Sequence, residues 1–212
     1  MTRTLLCYGD SNTWGAAPMA DLDDLRRFDL AQRWPGVVRQ RLGAGWHVVE
    51  EGLPGRTTVR DDPVEGANRN GLSYLAPCLL SHRSVDVVVL MLGTNDLKAR
   101  FGLGAAEIAN GLHALIETVA ANGRLDGRSP AVVVVCPPPI VETGCLAAMF
   151  AGGAEVSRQL APHYRRIAAL RGAAFVDAGE LIASSALDGI HYDEAAHAVL
   201  GAALHEVVAR QA

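Results

Sequence analysis

Residues 85–96 have the sequence VDVVVLMLGTND, a nearly continuous apolar run that stops at a glycine followed by three polar residues. β-Branched residues dominate the run, and strands that are apolar on both faces are typical of parallel sheets covered by helices. Four further runs have the same character: TLLCYG (4–9), WHVVEEG (46–52), AVVVVC (131–136) and AAFVDAG (173–179). The sequence therefore predicts five buried parallel strands.

Helical stretches alternate with these strands. Periodic apolar residues predict five helices, near residues 35–43, 71–81, 104–122, 155–171 and 194–210. This alternation is typical of an α/β domain in which right-handed crossovers place helices on both faces of the sheet. We therefore expect one domain over residues 1–212, a three-layer sandwich whose parallel five-stranded sheet has the flavodoxin-like order 2-1-3-4-5.

The last predicted helix has a clear apolar pattern. Asp193 precedes it and is a suitable N-cap residue, because its carboxylate can accept hydrogen bonds from the first free backbone N–H groups. The i, i+4 spacing predicts one buried stripe, made of Val199, Leu200, Ala203, Leu204, Val207 and Val208.

Charge and cysteine content exclude several classes of protein. The chain has a formal net charge of −4 and no long basic run, which argues against nucleic acid or an anionic membrane as its main partner. The four cysteines form no C-x-x-C pair, so we interpret them as reduced thiols. The N-terminal apolar stretch is too short for a signal peptide, and no segment reaches the about 18 apolar residues of a membrane span. These features predict a cytoplasmic protein that binds a small soluble molecule.

Polar residues collect after the predicted strands. Ligands of open α/β sheets bind at the carboxyl ends of the strands, near the point where the strand order reverses. In the order 2-1-3-4-5, the loops after the first three strands are neighbours, with strands about 5 Å apart, whereas the loop after the fifth strand must reach back from the edge. The four polar blocks are GDSN (9–12), GLPGRTT (52–58), GTND (93–96) and DGIH (188–191).

Several common motifs are missing from the sequence. It contains no G-x-S-x-G, no G-x-G-x-x-G, no G-x-x-x-x-G-K-[ST] and no H-E-x-x-H. These absences argue against an α/β-hydrolase elbow, a nucleotide-binding loop and zinc peptidase chemistry.

The four blocks occur in the order found in the SGNH hydrolases, also called the GDSL family, and the resemblance extends from Gly9 to His191. The stretches YGDSNTWG, RWPGVV, EEGLPGRTT and MLGTND are similar to the bacterial arylesterase and acyltransferase branch of that family. One departure is Asn12, where the namesake motif has leucine. This residue neighbours the expected nucleophile and does not itself take part in the chemistry.

The resemblance implies a catalytic triad of Ser11, Asp188 and His191. A serine hydroxyl is a weak nucleophile near neutral pH and needs a positioned base, which His191 can provide through one ring nitrogen. Asp188 would bond the other nitrogen, and the D-x-x-H spacing lets one short turn present both side chains. Taken alone, Ser11 is better explained as a turn or helix-cap residue, and Asp188-Gly189 is a turn signal in any protein.

The resemblance also implies an oxyanion hole formed by the backbone N–H of Ser11, the backbone N–H of Gly55 and the side-chain amide of Asn95. Gly52 is the other glycine of the second block, but the spacing G-L-P-G-R-T assigns the role to Gly55. A glycine there lets the backbone approach the substrate closely. Neither a metal nor an organic cofactor is implied.

The resulting functional prediction is a serine esterase that cleaves short-chain carboxylic esters (aryl, alkyl or acetyl) through an acyl-enzyme. From the acyltransferase branch we further expect acyl transfer to alcohols and a homo-oligomer. Two alternatives stay open: a carbohydrate O-acetyl esterase with the same triad, and a non-catalytic small-molecule binding protein. Specificity for the alcohol is expected in the loops at 15–33 and 137–153, which carry no recognisable motif.

Other conspicuous residues have simpler interpretations. Aromatic residues near the expected nucleophile, Trp14, Trp34 and Phe28, either line a substrate pocket or pack in the core, and Phe150 is expected at an apolar entrance. The acidic cluster Asp21–Asp24 is interpreted as a solvated surface. The remaining histidines lack ligand spacing and are expected at the surface or hydrogen-bonded in the core: His47, His82, His113, His163, His197 and His205.

Overall fold

A computed structural model describes residues 2–122 and 128–211. Its central sheet consists of five parallel strands, and their spatial order β2-β1-β3-β4-β5 confirms the predicted three-layer α/β architecture. The strands are β1 (Arg3–Gly9), β2 (Trp46–Gly52), β3 (Val87–Met91), β4 (Ala131–Cys136) and β5 (Ala174–Asp177).

Helices cover both faces of this sheet. Within the described residues they are α1 (Ser11–Trp14), α2 (Trp34–Leu42), α3 (Gly71–Ser81), α4 (Ala105–Asn122), α5 (Gly153–Ser157), α6 (Leu160–Leu170) and α7 (Glu194–Ala209). The same part of the chain contains short 3₁₀ turns at Gly43–Gly45, Ala67–Arg69, Asn95–Leu97, Ala99–Phe101, Gly144–Leu146 and Ala178–Glu180.

The two faces of the sheet bury two separate hydrophobic clusters. Alternate side chains of β1 point to opposite faces, so that Leu6 packs with α3, α4 and α6 while Leu5 packs with α2 and α7. Strand β3 is buried along its whole length, which explains why its sequence is apolar without alternation.

The prediction of one continuous helix over residues 155–171 is wrong, because the structure has two helices there. Helix α5 ends at Ser157 and α6 begins at Leu160. Pro162 explains the break: it has no backbone N–H, and inside a continuous helix its ring would clash with the carbonyl of Arg158. In the first turn of α6 the same proline is tolerated.

Helix α7 confirms the N-cap prediction, since the Asp193 carboxylate accepts a hydrogen bond from Ala196 N at 2.7 Å. The buried stripe is narrower than expected. Leu200, Leu204 and Val208 are fully buried, whereas Val199 is 47 % exposed. Val199 therefore lies on the solvent side of the helix.

All four cysteines are free thiols, and three of them are buried. Across residues 2–122 and 128–211, none of the helices has the length and apolar character that crossing a membrane requires.

Candidate active site

The loop after β1 presents Ser11 at the carboxyl end of the sheet. Asp10 caps the short helix α1, accepting a hydrogen bond from Asn12 N at 3.0 Å. Gly9 is required at the end of the strand, because a Cβ there would overlap the Thr13 side chain and approach Met91 O within 2.8 Å. The predicted glycine, aspartate and serine therefore form a tight strand-to-helix turn with Ser11 as its first helical residue.

The loop after β5 returns from the sheet edge and places His191 beside Ser11. Ser11 Oγ lies 3.0 Å from His191 Nε2, and His191 Nδ1 lies 2.7 Å from Asp188 Oδ2. Gly189 has a φ of +78°, and a Cβ on it would overlap Val141 O. The sequence DGIH thus forms the tight turn that presents Asp188 and His191 together.

Asp188 is fully buried and completely hydrogen-bonded. Its Oδ1 accepts from the backbone N–H groups of Ile190 and His191, at 2.9 and 3.0 Å, and its Oδ2 also accepts from Met19 N at 2.7 Å. Burial alone would raise the pKa of Asp188, but the hydrogen bond and charge of His191 outweigh burial and lower it to about 2. The carboxylate beside His191 is therefore ionised at neutral pH.

Gly55 and Asn95 lie on the same cleft as Ser11. Gly55 has a φ of +79°, a left-handed conformation that favours glycine, and a Cβ there would overlap the Glu65 carboxylate. Asn95 Nδ2 donates to Arg56 O at 3.2 Å and lies 3.5 Å from an oxygen of Asp10. The structure therefore brings the three predicted donor residues Ser11, Gly55 and Asn95 into the lining of one cleft.

Two buried carboxyl groups lie behind these loops. Asp96 Oδ2 accepts from Thr58 N at 2.9 Å, and its Oδ1 is 2.5 Å from Thr58 Oγ1, so it joins the loops after β2 and β3. Burial raises the pKa of Asp96 to about 7, and burial likewise raises that of Asp10 to about 6. Sequence reasoning missed the role of Asp96 in joining these two loops, because an aspartate after a strand is also typical of an ordinary loop.

Asn12 was also underestimated from the sequence. Its Nδ2 donates to Ile190 O at 3.2 Å, and its Oδ1 accepts from Tyr192 N at 3.2 Å. Asn12, which stands where the namesake motif has leucine, therefore ties the loop of Ser11 to the loop of His191.

Arg56 is a second residue that sequence reasoning missed. It is 2 % exposed, its Nη1 donates to Gly9 O at 2.9 Å and to Glu51 O, and its guanidinium stacks 4.2 Å from the centre of the Tyr8 ring. The only sequence signal was an arginine directly after the predicted oxyanion glycine. Arg56 fixes the loop that carries Gly55 against the end of β1.

A cleft of about 380 Å³ opens above Ser11. Trp14 and Phe150 line it, as the pocket interpretation expected, whereas Trp34 is fully buried in the core and Phe28 packs edge-on against His197. The two loops expected to determine specificity both contribute lining residues: Ala16, Met19, Leu22, Asp24, Leu25 and Arg26 from one, and Leu146, Met149 and Phe150 from the other.

The remaining candidates lie outside this cleft or at its edge. His197 is fully buried, and burial lowers its pKa to about 4. In the acidic cluster, Asp21 and Asp23 are exposed, while Asp24 forms an ion pair of 2.7 Å with Arg26. His82 contacts Glu51 near Cys78, away from Ser11.

Comparisons with known proteins agree with this geometry. A profile of the GDSL-like lipase/acylhydrolase family matches residues 7–199. An aryl esterase from M. smegmatis is 40 % identical, with a TM-score of 0.94 over 100 % of both chains. A carbohydrate acetylesterase from Sinorhizobium meliloti is also 40 % identical, with a TM-score of 0.93 over 99 % of both chains. No significant match came from the comparison with curated proteins. On this evidence the chain belongs to the GDSL-like lipase/acylhydrolase family, whose fold and ordered sequence blocks it shares.

Proposed function

We propose that the protein is a serine esterase acting on short-chain carboxylic esters, with Ser11 as nucleophile, His191 as general base and Asp188 as its partner. The observation that carries the proposal is the row of contacts at the floor of the cleft, 3.0 Å from Ser11 Oγ to His191 Nε2 and 2.7 Å from His191 Nδ1 to Asp188 Oδ2. Both distances are within hydrogen-bond range, which a nucleophile, its base and the orienting carboxylate require.

In the first half-reaction, Ser11 Oγ attacks the ester carbonyl carbon while His191 Nε2 takes its proton. Asp188 favours the His191 tautomer with a proton on Nδ1, and it stabilises the His191 imidazolium as this forms. Collapse of the tetrahedral intermediate transfers the proton from His191 to the departing alkoxide. The products of this step are the alcohol and an acyl group bonded to Ser11.

In the second half-reaction, water attacks the acyl carbonyl while His191 Nε2 takes its proton. Collapse of this tetrahedral intermediate breaks the bond to Ser11 Oγ, His191 returns the proton to Oγ, and the carboxylic acid leaves. In both steps negative charge develops on the carbonyl oxygen. The proposed donors for that oxygen are Ser11 N–H, Gly55 N–H and the Asn95 amide. Hydrogen bonds aimed at charge that develops in the transition state contribute strongly to the rate, because the donors are already in place.

The cleft lining favours aryl and alkyl esters. Trp14 and Met149 offer partly exposed apolar surface in a lining that also includes the buried side chains of Phe150 and Ile190. An apolar wall binds a phenyl or alkyl alcohol better than a hydroxyl-rich sugar. The second candidate is a carbohydrate O-acetyl esterase. It is supported by the charged side chains Glu65 and Lys98 in the same lining and by the similarity to the Sinorhizobium meliloti carbohydrate acetylesterase.

Acyl transfer to alcohols and a homo-oligomer are further parts of the proposal. The apolar cleft supports transfer, since it can hold an alcohol next to the acyl-enzyme. Leu22 and Leu25 are 60 % and 81 % exposed at the rim of the cleft, and apolar residues exposed in this way support an association surface. Light scattering coupled to size exclusion measures the oligomeric state.

The esterase proposal is tested by comparing wild type with Ser11→Ala on phenyl acetate and on an acetylated xylo-oligosaccharide. We expect wild type to prefer phenyl acetate and Ser11→Ala to lose hydrolysis of both while keeping its circular dichroism spectrum. Acyl-enzyme burst kinetics in Ser11→Ala would exclude Ser11 as the nucleophile. Faster turnover of the sugar ester would favour the second candidate. A folded wild type that turns over neither ester would support a binding protein.

A further inference from the structure

A second group of reactive side chains lies outside the proposed active site. Glu51 at the end of β2 contacts His82 at the end of α3, with 3.0 Å between Oε1 and Nε2. The Cys78 thiol lies beside them, and the three ligand atoms are all within 4.8 Å of one another. None of these residues takes part in the proposed ester hydrolysis. Together they provide a carboxylate, a thiol and an imidazole from two adjacent elements.

Helix α3 accounts for this arrangement. Cys78 and His82 are four residues apart and therefore lie on the same face of the helix. The helical hydrogen bonding of α3 extends to His82, because the His82 backbone N–H donates to Cys78 O at 3.1 Å. Edge strand β2 supplies Glu51, its second-to-last residue. The fold thus brings the three residues together without help from a flexible loop.

We propose that Glu51, Cys78 and His82 form a binding site for a divalent transition metal of the zinc class. Thiolate, imidazole and carboxylate are the ligands that Zn²⁺ takes in proteins, and three protein ligands plus water is a common coordination set. Thiolate and imidazole together select against Mg²⁺ and Ca²⁺, which take oxygen ligands. Glu51 and the Cys78 thiolate carry two negative charges, which balance the charge of the ion.

The site can contract to the size that the metal requires. Tetrahedral zinc distances imply ligand atoms about 3.5 Å apart, and the three ligand atoms, all within 4.8 Å of one another, must therefore move closer by at most roughly 1 Å. Cys78 is buried and fixed, but the side chains of Glu51 and His82 are 20 % and 32 % exposed and can rotate towards it. On binding, the Cys78 thiol releases its proton to solvent as the sulfur–metal bond forms.

A second cleft reaches one of the three proposed ligands. Glu51 lines this cleft together with Arg56 and Tyr74. The loop that carries Gly55 separates it from the cleft above Ser11. The guanidinium of Arg56 faces the same cleft, 5.5 Å from the Tyr74 ring centre. Its positive charge repels a metal ion, and this repulsion is offset only when Glu51 and Cys78 both bind as anions. The proposal therefore requires the Cys78 thiolate and not only the Glu51–His82 pair.

The test uses the untagged, reduced 212-residue chain, titrated with Co²⁺ and then with Zn²⁺. We expect one equivalent of Co²⁺ to give a thiolate-to-metal charge-transfer band, and Zn²⁺ to displace it. Cys78→Ser should lose the band, and His82→Ala should weaken Zn²⁺ binding by on the order of 100-fold. The matched controls are Cys145→Ser, which removes another free thiol, and His113→Ala, whose imidazole is also 32 % exposed. Both controls should bind as wild type does.

Three results would overturn the proposal: no thiolate band in wild type, a band retained in Cys78→Ser, or unchanged Zn²⁺ affinity in His82→Ala. If Cys78→Ser fails to fold, His82→Ala and Glu51→Gln decide the question, because both changes are at partly exposed side chains. Metal affinity is measured separately from ester hydrolysis. Failure of one proposal is therefore distinguishable from failure of the other.

Discussion

The side chain of Asn12 brackets His191, because its amide bonds the backbone on both sides of the histidine: Nδ2 to Ile190 O and Oδ1 to Tyr192 N, each at 3.2 Å. Asn12 also follows Ser11 directly in sequence. One buried side chain thus sets the position of the proposed base relative to the proposed nucleophile. We describe Asn12 as a positioning residue, since it acts through His191 and not on substrate.

Asn12→Leu, which restores the leucine of the family's namesake motif, should lower kcat by roughly 10- to 100-fold with little change in KM, because a small displacement of a base is costly to the rate. The variant also leaves a buried N–H and a buried carbonyl unpaired, which should cost about 1–3 kcal/mol of stability. Steady-state kinetics and urea unfolding measure the two effects. Asn68→Leu, at an exposed site, is the matched control. Wild-type kinetics in a destabilised Asn12→Leu would leave Asn12 with a purely structural role.

Asn95→Ala should reduce kcat by on the order of 10²- to 10³-fold with little effect on KM, because the amide is proposed to act on charge that exists only in the transition state. Kinetics on phenyl acetate measure both constants. Asn70→Ala removes another side-chain amide, one that caps α3, and should leave both constants near wild type. An unchanged kcat with a raised KM in Asn95→Ala would make Asn95 a ground-state binding residue.

Asp188→Asn should lower kcat on the order of 10⁴-fold, because an amide in place of the carboxylate disfavours the required histidine tautomer and no longer stabilises the imidazolium. Asp193→Asn is a close control two residues after His191, since asparagine caps a helix about as well as aspartate. Activity of Asp188→Asn within tenfold of wild type would exclude Asp188 from the triad.

The buried carboxyl group of Asp96 predicts a pH dependence of stability. Burial raises its pKa from 3.8 to about 7, against the opposing hydrogen bonds from Thr58. Between about pH 4 and pH 7 the folded chain therefore holds a proton that the unfolded chain has released, and stability falls as the pH rises through this window. The Asp96→Asn variant has no ionisable side chain at this position and therefore lacks this source of pH dependence. From pH 5 to pH 8, wild type should lose roughly 1 kcal/mol or more of unfolding free energy relative to Asp96→Asn.

Urea unfolding at the two pH values measures this difference. Asp86→Asn, at an exposed carboxylate, should follow wild type. If wild type and Asp96→Asn change in parallel with pH, Asp96 is ionised throughout the window, and its two contacts with Thr58 offset its burial.

Local sequence was sufficient to predict the sheet and the four polar blocks, because buried parallel strands have continuous apolar runs and each block follows its strand directly. The break at Pro162 was present in the sequence, but apolar periodicity on both sides concealed it. The contacts of Asn12 with the His191 loop, and of Met19 N with Asp188, join residues that are about 170 to 180 positions apart in the chain. A single sequence carries no local signal for such contacts, because they depend on how the loops meet after folding.

The last prediction concerns the fate of the acyl-enzyme. If the cleft above Ser11 holds an aromatic alcohol against Trp14 and Phe150, the alcohol competes with water for the acyl group. A preference of about 1.4 kcal/mol for the alcohol corresponds to a tenfold change in that competition. With vinyl acetate and benzyl alcohol in buffer, we therefore expect benzyl acetate to form alongside acetic acid.

Phe150→Ala should lower the ratio of benzyl acetate to acetic acid, because it removes apolar surface from the cleft without touching Ser11, His191 or Asp188. Phe175→Ala is the control, since Phe175 lies on β5 and does not line the cleft. Chromatography of both products over time gives the ratio directly. Acetic acid alone, with benzyl acetate at the level of an enzyme-free sample, would identify the protein as a hydrolase without transferase activity, because water would then be the sole acceptor at Ser11.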